Sequence, residues 1–133
     1  MRVSKTDVEP QIAIPGATLR QKLDFGDATG LGAISCEYFS LDAGVDTAPL
    51  FVGLEGDLCQ CPHWGFVLQG ALAVTYASGR QETVRKHDLF YWPKGHNVKV
   101  LEAAELIMFS PQAAHSHVLD HMREKLEGAA AAG

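Results

Sequence analysis

The stretch "ALAVTYASGRQETVRKHDLFYWPKG", Ala71 to Gly95, decides the fold. Leu72, Val74 and Tyr76 alternate with small or polar residues, the period of two that a half-buried strand shows. Ser78 and Gly79 sit between this run and the returning residues 83–85, as a tight hairpin turn would. "DLFYWP" then starts a further strand, which Pro93 stops.

Working outward, the same pattern recurs. "LGAISCEYFSL", from Leu31 to Leu41, mixes β-branched and aromatic residues in partial alternation and predicts a strand. "DAGVDTAP" reads as a turn. "LFVGLEGDLCQCPHWGFVLQG" is extended but interrupted by glycines and Pro62. "NVKVLEAAELIMFS" predicts two strands around a Glu102–Glu105 turn. Residues 1–17, with Pro10, Pro15 and Gly16, read as a loosely ordered arm or an edge segment. The tail changes period. Ser110 and Pro111 resemble an N-cap and a first helical proline. Val118, Met122 and Leu126, with Leu119 beside them, form one apolar stripe of a helix to about Gly128. Many short strands with glycine turns and one terminal helix imply an all-β antiparallel barrel or sandwich. The expected division is an N-terminal arm and edge strand over 1–30, a barrel over 31–110, and a helix with a frayed tail over 111–133.

Composition sets outer bounds. The 133 residues suffice for one domain with a real core, and 47% hydrophobic against 20% charged is ordinary for a globular chain. A net charge of −5 without a basic stripe gives no reason to expect nucleic acid or an anionic membrane as partner. No apolar run reaches transmembrane length, and the first residues lack the apolar core of a signal peptide, so a cytoplasmic protein is expected. The three cysteines, Cys36, Cys59 and Cys61, are an odd set that argues for reduced thiols. On an extended strand Cys59 and Cys61 would have Cα atoms roughly 6.5–7 Å apart, too far for an unstrained bridge.

"HWGFVLQG", "ALAVTY", a glycine turn, "HDLFYWPKGH" and a final strand pair together resemble the cupin superfamily. Its members are small jelly-roll barrels with two sequence motifs. The resemblance covers about residues 30–110, and the sequence is similar to a subgroup of small single-domain cupins that share a "CPHWG" stretch. It implies a cupin-type double-stranded β-helix with a short C-terminal helix. Gly70 would close the first motif, Pro93 and Gly95 would be the P-x-G of the second, and His87 stands where the second motif usually opens on glycine. The resemblance also implies a divalent metal, usually held by H-x-H and a glutamate in the first motif and a histidine in the second. Here His63 lies in the glutamate's place, Cys59 and Asp57 lie in the paired histidines' places, and Val98 takes the last histidine's place, two residues after His96.

Geometry gives a separate reading. On a strand, residues 57, 59, 61 and 63 point to one face. Thiolates and imidazoles together suit zinc. The candidate metal ligands are Cys59, Cys61, His63 and His96. The competing readings are two buried thiols packed as small hydrophobes, or a redox pair that lacks the helix N-terminus of C-x-x-C proteins. Cys36 reads as core. Trp64, Phe66, Tyr91 and Trp92 are either barrel or dimer packing or the wall of a small-molecule site, with Tyr38 and Gln69 as polar groups facing the same cavity. Gln69 is expected in register with His63. His87 reads as surface, and His115, His117 and His121 as a solvated helix face. The expected function is binding of a small organic molecule, with a zinc-like metal in the barrel. The alternative is a metal-dependent dioxygenase, isomerase or cyclase. A sensor whose helix docks to a partner is a weaker third reading. A homodimer is expected, since exposed strands of small barrels pair and the N-terminal arm could cross over.

Overall fold

The structure is a computed structural model that describes residues 1, 3, 5–26, 28–30 and 32–132. Leu31, where the first long strand was expected to begin, lies outside the described residues, as do Arg2, Ser4 and Asp27 of the expected arm and Gly133 of the tail.

Among the described residues seven strands make one antiparallel sheet: β1 (Pro10–Ile14), β2 (Ala17–Lys22), β3 (Ile34–Leu41), β4 (His63–Tyr76), β5 (Gln81–Arg85), β6 (Leu89–Trp92) and β7 (His96–Pro111). The order is β1-β2-β3-β7-β4-β5, with β6 also paired to β4. The described residues also form two α-helices, α1 (Ala48–Phe51) and α2 (Gln112–Ala132), and two short 3-10 turns, Lys5–Asp7 and Glu55–Asp57. This is the expected all-β class with a C-terminal helix. No helix among the described residues is long and apolar enough to cross a membrane.

The alternation in the opening stretch has the predicted outcome: Leu72 and Val74 are fully buried. Gly79 makes the hairpin turn at φ 84°, with its N–H donating to Tyr76 O at 2.8 Å. Val67, Leu106, Met108 and Leu119 join Leu72 and Val74 in the core. His87, in the glycine slot of the second motif, has φ 74°, a left-handed conformation that strains a side chain. Its exposed ring stacks on Phe66.

Of the two readings of residues 1–17, an arm or an edge segment, residues 10–14 take the second: they are a paired edge strand, and Pro10 at its first position leaves no ladder donor missing inside it. Two local expectations differ. The segment read as two strands around a turn at Glu102–Glu105 is one strand, β7. Register shifts at Val67/Gln69, Gln69/Ala71 and Ala71/Leu72 absorb the extra residues as bulges against β4, so the chain bends without turning back. Finally, Ser110 and Pro111 end β7, and α2 begins at Gln112. The Ser110 hydroxyl contacts His63, and Gln112 N–H donates to Ala33 O at 3.0 Å. The helix runs past Gly128 through the alanines, the best helix formers.

Candidate functional site

His63 opens β4 and pairs across the ladder with Trp92, the last residue of β6. Both face inward and are buried, while their neighbours Trp64 and Tyr91 face out. Cys59 lies in the loop before β4 and is fixed by a backbone bridge to the start of β7: its N–H donates to His96 O at 2.8 Å, and Gly95 N–H donates to Cys59 O at 2.7 Å. The ends of the two motifs are thereby pinned together. The Cys59 Sγ and one ring nitrogen each of His63 and His96 lie within 4.8 Å of one another, and all three residues are buried.

The second contacts of these groups prepare them as donors. His96 Nδ1 lies 2.7 Å from Pro93 O, which only accepts, so Nδ1 carries the proton and Nε2 keeps its lone pair. Burial pushes His96 down to about 4, with the Pro93 contact partly opposing. Burial, reinforced by the facing imidazoles of His115 and His96, holds His63 well below the usual histidine value. His63 Nδ1 meets Ser110 Oγ at 2.7 Å. Burial raises the Cys59 thiol to about 11, and its sulfur lies 3.6 Å from His63 Nε2 and 3.7 Å from Cys61 O. Neutral imidazoles oriented by a second hydrogen bond are the form that a metal requires. The thiol must give up its proton to ligate, which metal binding can drive.

A second group of donors adjoins the first. Glu37 on β3, His63 and His115 on α2 also bring one donor atom each within 4.8 Å of one another. Glu37 Oε1 bonds to His115 Nδ1, and Oε2, fully buried, has no hydrogen-bond partner. The His63 and His115 rings meet edge to face at 4.5 Å between centroids. The expected solvated helix face therefore holds for His117, which is exposed, and fails for His115, which is only 2% exposed. His121 is half-buried and meets Val52 O at 2.9 Å.

The donors stand along a cavity of about 310 Å³. Its wall is mostly apolar, including Leu19, Phe39, Leu41, Leu72, Val100, Leu106, Met108, Val118 and Met122, with Cys59, His63, His96, His115 and Trp92 among the lining groups. Ile14, Pro15, Asp46 and Pro49 line it too and are exposed, so they mark the mouth.

The remaining predicted site residues are placed elsewhere. Cys61 is buried, but the strand begins only at His63, so no common row forms, and its sulfur points to Pro62 O at 3.3 Å and Pro111 O at 3.9 Å. Desolvation, then Cys59 and Glu37, push its thiol far up. Tyr38 alternates with inward Glu37 and lies outside the cavity wall, donating to Glu105 Oε2 at 2.9 Å under Lys5. Trp64 and Tyr91 stack on the outer face at 5.2 Å, and Phe66 lies beside His87. Gln69 is exposed because register shifts on both sides take it out of the row of His63. Of the six predicted ligand-contacting residues, Trp92 is the one that lines the cavity. Cys36 is half-buried, and burial raises its thiol to about 11.

Comparison with solved structures places the fold among cupin-type barrels. Oxalate decarboxylase OxdC of Bacillus subtilis aligns over 82% of this chain and 28% of its own, at 21% identity and a TM-score of 0.58. The polyketide cyclase RemF of Streptomyces resistomycificus aligns over 84% of this chain and 78% of its own, at 22% identity and a TM-score of 0.57. Salicylate 1,2-dioxygenase of Pseudoaminobacter salicylatoxidans, solved with gentisate, aligns over 85% of this chain and 30% of its own, at 22% identity and a TM-score of 0.55. This chain thus spans under a third of the decarboxylase and the dioxygenase. No family model matches the sequence, and no curated protein does.

Proposed function

We propose that this cupin-type barrel holds a divalent metal, zinc in the first place, on Cys59, His63 and His96, and binds a small, largely apolar organic molecule in the adjoining cavity. The observation that carries the reading is the meeting of one thiol and two neutral imidazoles at an apolar cavity of about 310 Å³. That volume is at the lower end for small-molecule sites. One sulfur and two nitrogens are a borderline-soft set suited to zinc, and three protein ligands leave a position open. The metal would supply Lewis acidity there. The chain itself would orient the ligand through its apolar wall and exclude water through α2.

Metal analysis of reduced protein purified without a histidine tag tests this. One zinc per chain is expected, lost in His63→Ala, weakened in Cys59→Ser and retained in Cys61→Ser. A metal-free protein whose urea midpoint the first two substitutions leave unmoved would refute the metal reading.

A second reading, a metal-dependent dioxygenase, isomerase or cyclase, has support from the open coordination position and from the dioxygenase and cyclase among the fold neighbours. Fold likeness alone does not carry an activity. Iron in the purified protein with substrate-dependent oxygen uptake would favour a dioxygenase.

We also propose a homodimer in the cytoplasm. The support is an outer apolar patch of Trp64, Leu89, Tyr91 and Phe109, all at least 38% exposed. Light scattering at micromolar concentration is expected to give twice the 14.4 kDa chain mass, and Tyr91→Asp to return the monomer. A monomeric wild type would defeat the idea.

A further inference from the structure

We infer that Glu37, His63 and His115 form a second cation seat, for a harder divalent ion such as Mn²⁺ or Fe²⁺, overlapping the thiol seat at His63. The exclusivity of the two seats rests on the thiol seat proposed above, whereas the second seat stands on its own observations.

The first is convergence. β3, β4 and α2 each contribute one buried donor, and the three donor atoms lie within 4.8 Å of one another. The second is the unanswered carboxylate oxygen. Glu37 is fully buried, and its Oε2 finds no hydrogen-bond partner. Burying a carboxylate oxygen without a partner is unfavourable, and a cation beside it would remove the deficit. Neither Glu37 nor His115 belongs to the two motif stretches, so the motifs do not account for their burial together.

The donor chemistry sets the class of ion. Two imidazoles and one carboxylate are the harder set, which non-haem Fe²⁺ takes with open positions and which catalytic zinc also takes, whereas the thiol set favours zinc more strongly. His63 decides between them. Ser110 Oγ holds its Nδ1 at 2.7 Å, which leaves Nε2 as the nitrogen for either ion. One nitrogen serves one ion, so occupancy of one seat empties the other.

The test uses the metal-free, tag-free full chain under reducing conditions. Mn²⁺ is titrated in while the six-line paramagnetic resonance of free Mn²⁺ is followed. One Mn²⁺ per chain is expected. Glu37→Gln keeps an acceptor for His115 Nδ1–H and should weaken Mn²⁺ at least about tenfold, since even second contacts of a metal site are worth that much. His115→Asn should do the same from the helix. Cys59→Ser should leave Mn²⁺ binding intact. Zn²⁺ should release Mn²⁺ one for one from the wild type, and Glu37→Gln should still bind one Zn²⁺, which also reports that it is folded. Mn²⁺ binding unaffected by both Glu37→Gln and His115→Asn would overturn the inference, as would simultaneous Mn²⁺ and Zn²⁺ on one chain. A wild type that takes Zn²⁺ but not Mn²⁺ overturns this seat and leaves the thiol seat standing. One that takes Mn²⁺ but not Zn²⁺ does the reverse.

Discussion

Gly70→Ala is expected to destabilise the protein several times more than Gly79→Ala, although both glycines have a φ of 84°. The shared cost is the left-handed backbone, about 1–2 kcal/mol for a residue with a Cβ. At Gly79 nothing lies within 4 Å of the added Cβ, so that strain is the whole effect. At Gly70 the Cβ would stand 2.2 Å from Ala103 O and 2.7 Å from both Ala103 C and Glu102 O. These are backbone atoms of β7 and cannot rotate away as a side chain would. Relief requires β7 to lift off β4 where the two strands are already bulged. Overpacking adds about 1–3 kcal/mol, for a total of about 2–5 kcal/mol. A domain with about 5–15 kcal/mol in hand would lose a large share of its stability. Urea unfolding of the two variants measures the difference. Equal midpoints would show that β4 and β7 do not meet this closely in solution. The motif glycine is thus required by close approach as well as by its turn.

The same contrast explains which features the sequence made legible. Period-two alternation is a local property, so Leu72 and Val74 declared their burial and Ser78-Gly79 declared its hairpin. His87 was placed in a glycine slot by motif spacing, and its φ of 74° agrees with that slot. Register through a bulge is not local. Gln69 shares parity with His63 in the sequence, but shifts before and after it put it outside. Cys61 leaves the row for a related reason, because a row of alternate residues needs a strand and β4 starts two residues later. Glu37 and His115 left visible traces. Glu37 shares parity with buried Ser35 and Leu41, and His115 extends the stripe of Val118, Leu119, Met122 and Leu126 by one helical turn. A carboxylate and an imidazole are usually solvated, and that prior hid them. Their partners come from β4, β3 and α2, which only the tertiary fold brings together.

Leu119→Ala is expected to destabilise the chain by about 2–5 kcal/mol, the cost of a large-to-small change in a packed core. The choice of residue matters. His115, Val118, Met122 and Leu126 on α2 line the cavity, whereas Leu119 packs in the core beside it, 2% exposed, and does not. Its truncation therefore loosens the docking of α2 without removing a side chain that a ligand would touch. Loss of docking should also open the cavity, because α2 forms one side of it. An apolar fluorophore added to the native variant should brighten before any denaturant is present, and it should stay dark with the wild type. Glu124→Ala, on the exposed face of the same helix, should change stability by no more than about 0.5 kcal/mol. A Leu119→Ala midpoint indistinguishable from that of Glu124→Ala would mean that α2 does not dock through this face in solution. His115 would then not reach Glu37, and the carboxylate seat would lose its helical ligand. A large effect at Leu119 with a dark fluorophore would instead locate the loss in global unfolding, with the helix and the sheet behaving as one cooperative unit.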